Sequence, residues 1–203
     1  DFKDKLEEGQ KKTFVKKENV FSTCKAFHED FEMTKQALAN EIISYAKLFK
    51  EYFNENNLKE RIPKYASIQR IACFINATKN YAVIPYVLYV LHEVSDIEER
   101  NRIFGYLETY LIRRVLAWSS MNSYSDLFSQ DLIGQRKNTY IGVKNYIEGK
   151  GEDANLAMPS LARVESGINN RQKTIDDTTA RIIYYLYETK VGSVNDGVDG
   201  GFN

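Results

Sequence analysis

The sequence predicts an all-α protein, a single multi-helix domain of about eight or nine helices with one long N-terminal helix. Three observations lead there. The 203 residues hold only 11 glycines and 3 prolines, too few for a sandwich or barrel that turns every eight to twelve positions. Apolar residues recur at steps of three and four along most of the chain. Helix-start signals of the Ser/Asp type stand before several of these runs. With 43% hydrophobic and 28% charged residues, the composition is globular, which excludes disorder and collagen-like repeats.

Residues 1–21 form a charged lead-in, with Lys3, Lys5, Lys11, Lys12, Lys16 and Lys17 among acids. The helical domain is expected over residues 22–190. Its first helix, some thirty residues capped by Ser22 or Thr23, carries Phe27, Phe31, Thr34, Leu38, Glu41, Tyr45, Leu48 and Tyr52 on one face. Pro63 suits the first turn of the next helix, whose stripe is Ile68, Ile71, Ala72 and Ile75. Asn76 to Asn80 break it. Val83 to Leu91 is apolar on every side; Pro85 would remove a donor from a central strand but fits a helix start, so this run reads as a helix buried all round.

Ser95-Asp96-Ile97-Glu98 has the pattern of a capping box with Ser95 as the cap, opening a helix that reaches about Ser119. Ser125 and Asp126 open a short helix ending near Gly134. Tyr140, Val143, Tyr146 and Ile147 step helically up to the Gly149-Lys150-Gly151 break. Pro159-Ser160 starts a short helix through Ile168. The last helix covers about Asp176 to Lys190, with Thr179, Ile183, Leu186 and Tyr187 inward and Gly192 as its C-cap. Residues 191–203 are a Gly- and Asp-rich tail that reads as disordered, with Phe202 as the only obvious anchor.

Charge and cysteine usage narrow the function classes. Twenty-eight Lys+Arg balance 28 Asp+Glu, so neither a strongly basic nucleic-acid module nor a polybasic membrane binder is indicated globally. Cys24 and Cys73 have no metal-ligand spacing and read as two free thiols of a reducing compartment. No apolar run approaches a membrane span and no signal peptide is recognisable, so a cytoplasmic location is expected. The chain opens on Asp1, which suggests an excised or processed piece.

Catalytic motifs do not appear. The two histidines, His28 and His92, lie far apart; His28 has only Glu32 at helical ligand spacing, and His92 suits a helix C-terminus. HExxH, GxSxG, Walker A and GxGxxG are absent. No catalytic, cofactor or metal residue is assigned. The carboxylate pairs Glu7-Glu8, Glu98-Glu99 and Asp176-Asp177 fall at helix starts or in solvated stretches. Fourteen tyrosines and eleven phenylalanines fall mostly on inward stripes and read as core. Residues 111–150 hold six Lys+Arg against three acids. Arg113, Arg136, Lys137 and Lys144 are therefore the candidate phosphate-contacting surface, against the plainer reading of a solvated face.

The run Ile84 to Leu91, then Leu107-Glu108-Thr109-Tyr110-Leu111-Ile112-Arg113-Arg114, then Ser123-Tyr124-Ser125-Asp126-Leu127-Phe128 resembles the helical region of GmrSD-type restriction endonucleases. In that family a buried apolar helix precedes a long helix ending in E-x-Y-L-x-R-R. Met158-Pro159-Ser160 and Arg181 to Glu188 fit the closing helices, so the resemblance spans about residues 60–190. It implies a modification-dependent (type IV) restriction system acting on phage DNA with modified bases. It also implies a ParB-like nucleotide-hydrolysing domain before the helical region and an HNH nuclease after it. Neither flanking motif is present. Only the structural Leu107–Arg114 signature carries over, and no catalytic residue does. The implied role is a helical linker or scaffold module, inactive by itself, whose partners are those flanking domains and DNA. A nucleoside triphosphate and a divalent metal would serve the flanking domains. The alternative is an unrelated helical protein–protein interaction domain.

One expectation follows from helical angles. Phe104, Leu107, Leu111, Val115 and Trp118 define the inward stripe of the helix after Ser95. At about 100° per residue, Arg114 falls within about 50° of its centre while Arg113 points away. Arg114 should be buried and needs a carboxylate or several carbonyls. Glu41, on an inward position of the first long helix, is the expected structural ion-pair partner.

Overall fold

A computed structural model describes residues 22, 25, 34–53, 68–151, 154–170 and 172–191. Its internal contacts divide the chain into two units, residues 1–47 and 48–203. The described residues are helical, with no strand: α1 (Lys35–Tyr52), α2 (Ile68–Thr78), a 3-10 turn (Tyr81–Val83), α3 (Ile84–Glu93), α4 (Ile97–Leu116), a π-helical segment (Asp126–Ile133), α5 (Tyr140–Glu148), α6 (Leu161–Ile168) and α7 (Asp177–Val191). The all-α expectation is met.

The long first helix is corrected. Ser22 and Lys25 are helical, but α1 starts afresh after Thr34, whose Oγ1 accepts from the Ala37 amide at 3.1 Å. A threonine oxygen in that position satisfies an amide that lacks an intrahelical partner and marks a helix start. No residue of α1 is fully buried. Leu38, Tyr45, Leu48 and Tyr52 are half-buried, whereas Glu41, on their face, is exposed. Phe27, Phe31, Cys24, His28, Pro63, Gly192 and Phe202 lie outside the described residues, as do the lead-in 1–21 and the tail.

In the second unit, α2 buries every side over Arg70 to Ile75. Pro85 occupies the first turn of α3, as expected, and Tyr86, Val87, Val90 and Leu91 are buried. Burial is not complete all round, because Pro85 is exposed and Ile84, Leu88 and Tyr89 are half-exposed. α4 is the hub and packs against α2, α3, α5 and α6, while α7 packs on α2. Ile103, Phe104, Leu107, Tyr110 and Leu111 of α4 are buried in one apolar core with Ile71, Phe74, Tyr86, Phe128, Val143 and Ile147. Each such aliphatic or aromatic side chain contributes about 1.5–3 kcal/mol on leaving water.

Several caps differ from expectation. Asp96, not Ser95, caps α4: its carboxylate accepts from the Glu98 amide at 2.9 Å. The π-helical segment ends at Gly134 as expected, but Ser125 makes no side-chain cap. Thr139 and Ser160 cap α5 and α6. Tyr187, placed inward by the sequence, is 61% exposed; Ile182 is buried in its stead, with Thr179 and Leu186.

Lys79, Trp118 and Arg136 each follow a helical segment with φ near 55°. The Asn80 amide donates to Ile75 O, the Ser119 amide to Arg114 O and the Lys137 amide to Leu132 O, all at 2.8–3.0 Å. These are Schellman closures, which cover the last carbonyls at the cost of a left-handed non-glycine residue. At the end of α4 the chain also meets α6. Trp118 Nε1 donates to Gly167 O at 3.0 Å, and a Cβ on Gly167 would stand 2.1 Å from Leu116 O. Only glycine permits that approach.

Candidate functional site

The signature Leu107–Arg114 lies on α4 with Leu107, Glu108, Tyr110, Leu111 and Arg114 buried. Its polar members face different neighbours. Arg114, 1% exposed, donates from Nε to Tyr124 Oη at 3.0 Å, from Nη1 to Ala157 O at 3.2 Å, and from Nη2 to Ser120 O. Its guanidinium carbon lies 5.5 and 5.3 Å from the Tyr110 and Tyr124 ring centroids. Tyr110 Oη donates to Leu156 O at 3.0 Å. One buried cation and one phenol thus tie the segments around 120–124 and 156–157 to α4. Burial pushes both tyrosine hydroxyls up from their ordinary pKa, and the Arg114 charge offsets part of that rise.

The burial of Arg114 agrees with the helical angles, but its expected partnership with Glu41 is corrected. Carbonyls and a phenol satisfy the guanidinium, and Glu41 is exposed on α1. Glu41 has the inward angle, yet α1 fully buries nothing, and a glutamate beside a half-buried face reaches water along its stem.

The buried carboxylate–guanidinium pair is elsewhere. Glu108 accepts from Arg70 of α2 through two bonds, Nε to Oε2 at 2.9 Å and Nη2 to Oε1 at 2.7 Å. Arg70 also donates to Leu186 O and to Thr189 Oγ1 of α7, each at 2.7 Å. A planar guanidinium is suited to this, because its fork meets one carboxylate in two places and still has donors to spare. Three helices, α2, α4 and α7, meet on it. The sequence reading missed the pair. Arg70 lies about 150° from the centre of the α2 stripe, so periodicity points it toward water. Glu108, within about 60° of the α4 stripe centre, carried the same angular signal as Arg114.

Two of the candidate phosphate-contacting residues have local partners. Lys144 Nζ lies 3.0 Å from Glu148 Oε2, and Lys137 Nζ lies 6.0 Å from the Tyr146 ring centroid. Lys150 also faces Tyr146, at 4.5 Å, and pairs with Asp131 at 3.7 Å. Arg113 is half-exposed, less solvated than its angle suggested, and Arg136 is exposed. Glu148 and Asp131 therefore offset the charges of Lys144 and Lys150.

His92, at the C-terminus of α3 as its helix position suggested, is bonded through Nδ1 to Glu93 at 2.8 Å. Cys73 is buried and free, and burial pushes its thiol up to about 11. Among the described residues no group of three or more His, Cys, Asp and Glu is placed to hold a metal ion, and no helix is long and apolar enough to cross a membrane. What the buried network does chemically is to fix helix positions. Comparison with known proteins finds no family model, no curated protein and no solved structure that matches the chain.

Proposed function

We propose that this chain is a helical linker or scaffold module of a GmrSD-like, modification-dependent DNA restriction system. In this reading it holds a nucleotide-hydrolysing domain and an HNH-type nuclease in register, is inactive by itself, and works in the cytoplasm. The nucleoside triphosphate and the divalent metal belong to those flanking domains, and Arg113, Arg136, Lys137 and Lys144 provide any contact with DNA.

The observation that supports it is the behaviour of the signature on α4. Glu108, Tyr110 and Arg114 all point into the core and close bonds to residues 38, 46 and 43 positions away. A motif used that way braces a scaffold, in keeping with the purely structural part that the resemblance assigns to Leu107–Arg114. The interaction-domain reading has its own support in exposed apolar side chains, Ile42, Ile43 and Phe49 on α1 and Tyr184 and Tyr187 on α7.

The test is a cleavage assay on phage DNA with and without modified bases, supplied with a nucleoside triphosphate and a divalent metal. The chain produced in its natural reading frame should cut only modified DNA, and residues 1–203 alone should cut neither. Turnover by the chain alone, abolished by a single substitution within it, would overturn the scaffold reading. A reading frame lacking both enzymatic domains would favour the interaction domain.

A further inference from the structure

We draw no further inference here: the strongest candidate, the groove of about 340 Å³ between α4 and α5 whose lining includes Tyr106 with its buried, unpartnered hydroxyl, carries nothing, because Arg102 in that lining already pairs with Glu99 and nothing in the structure shows what occupies the groove.

Discussion

Arg70 and Glu108 form a two-bond ion pair, 2.7 and 2.9 Å long, with side chains 0% and 3% exposed. Removing one partner strands the other charge in the core. Arg70→Met and Glu108→Gln should each destabilise the protein by about 3–5 kcal/mol, read from urea unfolding. Arg70→Met with Glu108→Leu should cost clearly less than the sum of the single changes. Additive losses would mean that the two side chains do not act as a pair.

Arg114 is held without a carboxylate, so charge alone does not replace it. Arg114→Lys keeps the cation but cannot reach Tyr124, Ala157 and Ser120 in the same planar arrangement. Arg114→Lys and Arg114→Met should both lower stability by at least about 2 kcal/mol. Full stability in the lysine variant would show that the fork geometry is unimportant.

Gly167→Ala would place a methyl carbon 2.1 Å from Leu116 O, a backbone atom that cannot rotate away. A loss at or above the upper end of the roughly 1–3 kcal/mol seen for overpacking is expected. Trp118 fluorescence should shift as well, because its indole donates to the Gly167 carbonyl. An unchanged melting temperature and emission maximum would disprove the contact.

Asp176 has its pKa lowered first by the hydroxyl of Thr179 and next by that residue's amide. A depressed carboxylate stabilises the fold above its unfolded pKa of about 3.9, and the benefit is lost as pH falls through the lower folded value. Acid titration followed by hydrogen exchange should therefore loosen the start of α7 below about pH 4 in the native protein. Asp176→Asn should flatten that response; an identical acid profile would refute the assignment.

DNA binding, if carried by Arg113, Arg136, Lys137 and Lys144, involves at most four phosphates. The slope of log affinity against log salt should then be no steeper than about −4. Lys144 is already paired with Glu148, which reduces the slope further. Binding that persists unchanged at high salt would rule out this surface.

Periodicity read the helices of the second unit well, because their stripes face a common core. It placed Ile68, Ile71, Ala72 and Ile75 correctly and put Arg114 inside from angle alone. Arg70 was illegible for a physical reason: α2 is enclosed on every side, and a stripe identifies a buried face only where another face meets water. Glu41 failed in the opposite direction, an inward angle on a helix that buries no residue completely. Asp96 displaced Ser95 as the cap because two neighbouring residues both had capping chemistry and sequence alone does not choose between them.

The most direct test of a bracing role for the α4 signature uses the protein in its natural reading frame. Cleavage of modified DNA and melting temperature are measured together for Arg70→Lys, Glu108→Gln, Arg114→Lys and the Arg70→Met, Glu108→Leu double variant. With a brace, activity at each assay temperature tracks the folded fraction across all four. A variant that melts like the wild type yet has lost cleavage would contradict it, since Glu108, Arg70 or Arg114 would then be acting on DNA, nucleotide or metal rather than on the fold.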